Sequence, residues 1–242
     1  MTKKLTNQAV CLWKPVGQTP LEALQKFRLR QLIGDDVKLT YAGRLDPLAE
    51  GVLVVLVGLE RFKKESYLNL TKIYEIEVLF GISTDSGDIL GLIKKTRSQI
   101  FTIDEIKLAV KFLIGEKMQL APPYSSPSLD GKNFKKMIEI KSIKVGSSKT
   151  IVGDQLLQVI TERINLVKGD FRQNTILTRW SKIISPKSEF QVVKLTIEAS
   201  AGAYMRVLAE QLGERLKVPA LAYNIVRTQV GSFSKLDCLD LN

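Results

Sequence analysis

The chain has 242 residues, 45% of them hydrophobic, with 36 Lys+Arg against 25 Asp+Glu, a net charge of +11 and no histidine. That length fits one large domain with a full core, and the basic surplus points to a polyanionic partner such as nucleic acid. Without histidine, Ser-His and Cys-His nucleophile pairs, histidine general bases and His-ligated zinc are excluded, and chemistry must rest on carboxylate, Tyr, Lys, Arg or Ser.

The amino-terminal MTKKLTNQAV lacks the apolar h-region of a secretion signal, and no apolar run approaches the ~20 residues that cross a bilayer. A strand over Ala9–Trp13 enters the turn 14–20, KPVGQTP. Cys11 and the distant Cys238 belong to no CxxC pair and read as two reduced thiols of a cytoplasmic protein. A helix follows, with Leu21, Leu24, Phe27 and Leu32 on one face and Lys26, Arg28 and Arg30 exposed. Tyr41–Gly58, YAGRLDPLAEGVLVVLVG, sets Asp46 in a turn of Gly43, Pro47 and Gly51, directly before the β-branched run Val52–Val57. That run reads as a strand buried on both faces. A carboxylate at the mouth of such a strand is costly without a cationic partner or a task, although Asp before Pro also caps turns through its own backbone.

Lys72–Phe80 alternates, with Tyr74, Ile76, Val78 and Phe80 facing one way and Glu75 and Glu77 the other, as in a half-buried antiparallel strand. Thr102-Ile103-Asp104-Glu105 is a capping-box start to a helix ending near Gly115. The prolines of Gln119–Ser128 exclude helix and central strand. Leu156–Val167 and Phe190–Ala199 read as two alternating strands joined by Lys168–Ser188, a basic segment with interleaved aromatics. A last helix, Ala203–Lys217, buries Tyr204, Val207, Leu208, Gln211, Leu212 and Leu216. Strands and helices interleave without regular βαβ units, so the expected fold is α+β, a mixed, mainly antiparallel central sheet flanked by helices.

With these motifs in order, the chain resembles the family of bacterial tRNA pseudouridine-55 synthases over nearly its whole length. KPVGQTP (14–20) is similar to the family's KPxGxT turn and GRLDPLAEG (43–51) to its catalytic loop. KIYEIEVLFGISTDSGD (72–88) is similar to its KxY strand and following T-D segment, QLAPPYSS (119–126) to its PPxYSA loop. SAGAYMRVLAEQLGERL (200–216) resembles its G-x-Y-I-R-x-L helix, and Val226-Arg227-Thr228 its late L-R-R-T element. The chain departs from the pattern at Tyr41, where many members carry histidine, at Trp13, at Ser128, at Val226, and near Met137-Ile138, where the Ala-Arg that ends the family's next helix is absent.

The resemblance implies a single pseudouridine synthase domain over 1–242, with an insertion at 168–188 and no carboxy-terminal PUA-type RNA-binding domain. It implies an isomerase of tRNA that acts on the T-arm as a monomer, away from membranes, with no metal and no organic cofactor. Asp46 is then the catalytic aspartate, which either attacks C1′ or takes the C2′ proton of a flipped uridine. Arg206 pairs with it and fixes its rotamer, although an ordinary Arg206–Glu210 pair one turn on fits the same spacing. Tyr74 completes the catalytic set, stacking on the base and suited to proton transfer, although its shared face with Ile76, Val78 and Phe80 also fits plain core packing. Tyr41, Tyr204, Ile225, Arg44 and Lys72 are the implied substrate contacts, with Lys14 and Lys72 also suited to supporting local structure. Lys168, Arg172, Arg179, Lys182, Phe171 and Trp180, and Lys132, Lys135 and Lys136, are candidate RNA contacts, although a charged run also suits a merely solvated face. The alternatives are a catalytically silent RNA-binding protein of the same fold, a synthase of another structured RNA, and a carboxylate glycoside hydrolase, which would need a second acid facing Asp46.

Overall fold

A computed structural model describes residues 7–124 and 134–239. Ten strands form one sheet in the order β12-β1-β3-β10-β4-β9-β8-β7, with β11 and β2 paired to β10 and β3. These are β1 (Ala9–Lys14), β2 (Leu39–Ala42), β3 (Glu50–Val57), β4 (Lys72–Phe80), β7 (Gly115–Leu120), β8 (Lys135–Val152), β9 (Glu189–Ala199), β10 (Ala220–Val230), β11 (Phe233–Ser234) and β12 (Cys238–Leu239). A separate hairpin joins β5 (Ile82–Thr84) to β6 (Ile93–Thr96). Among the strands of the described residues only β1–β12 and β3–β10 pair in parallel, so the expected mainly antiparallel α+β sheet is what forms. Among the described residues no helix is long and apolar enough to cross a membrane.

The sheet is buried on both faces in its middle. Along β4, Tyr74, Ile76, Val78 and Phe80 enter one apolar cluster, and Leu79 enters a second on the opposite face. Glu75 meets Lys194 of the adjacent β9 at 2.7 Å, and Glu77 meets Lys149 of β8, one strand further on, at 3.0 Å. In β3, Leu53, Val55 and Val57 serve one cluster while Val52, Val54 and Leu56 serve another, which is why this run alternates nothing and is apolar throughout.

Among the described residues the α-helices are α1 (Pro20–Arg30), α2 (Lys64–Leu68), α3 (Ile103–Lys111), α4 (Gly153–Asn165), α5 (Gln173–Ile183) and α6 (Met205–Arg215). Capping boxes start α1 at Thr19–Glu22 and α3 at Thr102–Glu105. The inward face of α1 is Pro20, Ala23 and Phe27, while Leu21 and Leu32 are exposed, because Leu32 lies beyond the helix end in a left-handed turn. In α6 the buried stripe is Met205, Arg206, Leu208, Ala209 and Leu212, rotated from the expected one.

Three expectations are corrected. Leu156–Val167 is not a strand: it forms most of α4, whose Leu156, Ile160 and Ile164 pack on the sheet at helical spacing. The strand paired to β9 is instead β8, 18 residues long and interrupted by register shifts at 140–142 and 145–148; it occupies the place where the resemblance suggests a helix near Met137-Ile138. Finally, Cys11 and Cys238 are not separate thiols, since the parallel β1–β12 register sets them side by side as a disulfide.

The segment 168–188 holds α5, and α4 and α5 together form a helical hairpin between β8 and β9. Trp180 is fully buried among Leu156, Ile160, Ile164 and Ile176, and its indole N–H donates to the Gly91 carbonyl at 2.9 Å. It is therefore core and not an RNA-stacking surface. Trp180→Ala is expected to destabilise the fold by about 3–5 kcal/mol, and removal of 168–188 to unfold the domain, both read as shifted urea denaturation midpoints.

Candidate active site

The loop between β2 and β3 carries Asp46 and is anchored by its apolar neighbours. Leu45 and Ala49 enter the cluster that holds Tyr74, Met205 and Ile225, while Leu48 enters the cluster on the other face of the sheet. The Asp46 carbonyl accepts the Ala49 amide at 3.0 Å, closing a turn with Pro47 at its second position. That leaves the Asp46 side chain 38% exposed between two buried leucines.

Arg206, on the first turn of α6 and only 4% exposed, reaches this carboxylate. Its Nη2 donates to Oδ1 at 3.3 Å, and its Nε lies 2.9 Å from Oδ2 in an ionic contact whose N–H is not well aimed. Nη1 donates to the Ser86 and Pro123 carbonyls at 2.7 and 3.2 Å. Burial acts to lower the Arg206 pKa, but Asp46 and Asp88 outweigh it and leave the guanidinium above its ordinary value. The guanidinium thus turns to Asp46 and not to Glu210, so the one-turn pair is not what this arginine serves.

Asp88, the last residue of the 72–88 segment, is a further participant that sequence reading does not single out. It holds a turn, accepting the Ser86 hydroxyl at 2.7 Å and the Leu90 amide at 2.9 Å through Oδ1. Its Oδ2 also lies 3.9 Å from Arg206 Nε, and burial pushes its carboxyl pKa up against the pull of that arginine. Asp46 and Asp88 therefore flank one guanidinium.

Two buried cations hold the loop itself. Arg227 donates Nε to the Val52 carbonyl at 2.8 Å, Nη1 to Arg44 at 3.2 Å and Nη2 to Gly43 at 3.1 Å, and the Tyr74 hydroxyl lies against the same guanidinium. Lys14 donates to the carbonyls of Pro15, Gln18 and Pro47, at 2.9, 2.6 and 3.4 Å, and the Gly17 amide reaches Pro47 as well. Gly51 sits between these braces at φ +121°, where a Cβ would lie 2.2 Å from the Arg227 carbonyl, so only glycine fits.

Of the remaining expected contacts, Tyr204 caps α6 beside buried Gln119, whose Oε1 accepts the Tyr204 amide at 2.8 Å. Ile225 is a core residue opposite Ile76, and Arg44 is exposed on the loop. Tyr41 packs beside the cluster of Phe27 and Val55, with the Lys64 ammonium 5.9 Å from its ring centroid. Lys72 is buried, and its ammonium is taken by the Leu68 and Leu70 carbonyls, so it braces the chain and is not a free substrate contact. Ser125, Ser126, Ser128 and Lys132 lie outside the described residues. Cavities of about 770 Å³ are lined by Lys94, Arg179 and Lys182 on one side of α5 and by Lys94, Lys217 and Glu210 beside α6; Asp46 lines neither and opens directly to solvent.

Residues 30–205 match the family described as TruB family pseudouridylate synthase (N terminal domain). The tRNA pseudouridine synthase B of Bacillus subtilis (strain 168) is 28% identical over 236 residues, covering 97% of this chain and 68% of that protein. The protein of the same name from Chlamydia abortus (strain DSM 27085 / S26/3) is 30% identical over 242 residues, covering 99% of this chain and 89% of that one. Among solved structures, a chain of a Cbf5-Nop10-Gar1 complex superposes with a TM-score of 0.63 at 19% identity, a likeness of fold. The superposition covers 96% of this chain and about half, 52%, of that one.

Burial lowers the Lys14 pKa from 10.5 to about 7, against the opposing pull of Asp46. Between those two values the unfolded chain binds the extra proton, so this group makes stability rise with pH across the window. Urea denaturation is expected to show that rise in the wild type and its loss in Lys14→Met.

Proposed function

The chain belongs to the TruB family of pseudouridylate synthases, and on that premise we propose that it converts the T-loop uridine at position 55 of tRNA to pseudouridine, with Asp46 as the catalytic residue. The observation that carries the reading is the Asp46–Arg206 pair: an acid left open to solvent on one side and held by a buried guanidinium on the other.

The reaction is an isomerisation. The C1′–N1 bond breaks, the uracil turns, a C1′–C5 bond forms, and the hydrogen displaced from C5 is balanced by one gained at N1. No electrons enter or leave, so no redox group is required. Asp46 either adds to C1′ or removes the C2′ proton; both routes need a carboxylate whose outward lone pairs reach the ribose while its charge is balanced from behind. Arg206 supplies that balance and fixes the rotamer. The nucleotide must leave the stack to reach the acid. Tyr74 lies in the same cluster as Leu45 and Met205, the chain neighbours of Asp46 and Arg206, which suits a ring that receives the extruded base. Tyr204, at the start of α6, and Tyr41 and Arg44, before Asp46, are the remaining candidate contacts.

The T-arm would be gripped electrostatically by a monomer in the cytoplasm. Lys94, Arg179 and Lys182 are exposed around one cavity beside α5 and supply positive charge next to the site without belonging to it.

Carbodiimide primer extension on an unmodified tRNA transcript tests the reading. The wild type is expected to place one pseudouridine in the T-loop, and Asp46→Ala to bind the transcript yet modify none. Tyr74→Ala is expected to lose about 1–3 kcal/mol of stacking, with Tyr74→Phe retaining most of it. No product from the wild type, or product from Asp46→Ala, overturns the assignment.

A further inference from the structure

We propose that the helical hairpin α4–α5 is a positioning element for the active site, acting through Arg163 on the loop of Asp46 and through Arg172 on the two carbonyls that aim Arg206. The proposal rests on the reading of Asp46 and Arg206 given above.

Arg163 projects from α4 toward the back of the Asp46 turn. Its Nη1 donates to the Tyr223 carbonyl at 2.7 Å, and its Nη2 donates to the Leu48 carbonyl at 3.1 Å and to Asn224 Oδ1 at 2.9 Å. Leu48 is two residues past Asp46, and its side chain packs with Ile160, Ile164, Val167 and Trp180 of the same hairpin. The turn is thus held at both the side chain and the carbonyl of Leu48 by one helical hairpin. All three of these donations go to protein oxygens, so Arg163 is spoken for within the fold.

Arg172, between the two helices, works on the other half of the pair. Its Nη1 meets Asp85 Oδ2 at 2.9 Å, and its guanidinium lies 4.7 Å from the Tyr124 ring centroid. The Tyr124 hydroxyl donates to the same Asp85 oxygen at 3.2 Å. Asp85 precedes Ser86 and Tyr124 follows Pro123, and the Ser86 and Pro123 carbonyls are the two that accept Arg206 Nη1. Arg172 therefore gathers the two chain segments that orient the arginine. Both Arg172 and Tyr124 adopt left-handed backbone, at φ +64° and +62°, a conformation kept where surrounding contacts over-determine it.

A phosphate contact is the competing role for Arg172, and the two roles separate kinetically. Single-turnover rate, tRNA affinity with its salt dependence, and melting temperature are compared for wild type, Arg172→Gln, Arg172→Lys, Asp85→Asn and the Arg172→Gln/Asp85→Asn double variant. Positioning predicts a rate lower by about tenfold or more in Arg172→Gln at unchanged affinity. It also predicts partial recovery in Arg172→Lys, which keeps the charge but not the planar fork, and a double variant no slower than the slower single one. Weaker binding with a shallower salt dependence at unchanged rate overturns it in favour of a phosphate contact. A lower melting temperature with rate and affinity intact overturns it in favour of a scaffold role. For Arg163, the conservative Arg163→Lys is read by hydrogen exchange at the Ala49 amide, which closes the Asp46 turn; faster exchange there is expected, and unchanged protection overturns that half. Because the exchange readout needs no turnover, a wild type that forms no pseudouridine sinks the functional reading without deciding this one.

Discussion

A guanidinium removed from water must find its partners in the protein, and the rest of the site follows from that requirement at Arg206. One edge of its planar fork takes the Asp46 carboxylate, and Nη1 takes two backbone carbonyls from segments 37 residues apart in sequence. Each partner fixes a different loop: the β2–β3 turn, the turn after β5, and the start of the proline-rich stretch. A lysine at this place would supply charge but not the geometry that brings three loops to one plane. Of these partners the carboxylate is the one that carries charge, and it keeps a face toward solvent.

The same economy of cations recurs around it. Lys14, Lys72, Arg163 and Arg227 all spend their donors mainly on backbone carbonyls, and none forms an ion pair within 4 Å among the described residues. Burial lowers the pKa of each. Part of the chain's +11 charge is therefore structural: it satisfies the acceptors of irregular loops that no ladder can reach. The surplus available at the surface is correspondingly smaller than the composition suggests, and it lies on exposed lysines and arginines such as Lys94, Arg179 and Lys182.

How far the sequence could be read depended on whether a local pattern had one meaning. The run at 52–57, the alternation at 72–80 and the capping box at Thr102 each carry an unambiguous period or cap, and each formed as expected. Leu156, Ile160 and Ile164 satisfy both a period of two and a period of 3.6, and as a helix they share one cluster with Leu48 and Trp180. Strand β8 shows no steady alternation because its register shifts change the phase twice within one strand. The Asp46–Arg206 contact was accessible through family motifs alone, since 160 residues separate the partners. The cysteine pair and the carbonyl-bound cations had no local signal at all; they exist only once the sheet order is known.

The placement of Leu45 and Leu48 in clusters on opposite faces of the sheet makes the Asp-Pro step a bridge across the molecule's midplane. Two residues span the gap between two separate interiors, so the spacing works as a ruler. Side chains at this bridge can vary in chemistry while the backbone keeps its span, but adding or dropping one residue would pull a leucine out of its seat. The geometry therefore forbids changes of length here more strongly than changes of kind, a restriction that belongs to the architecture before it belongs to the chemistry.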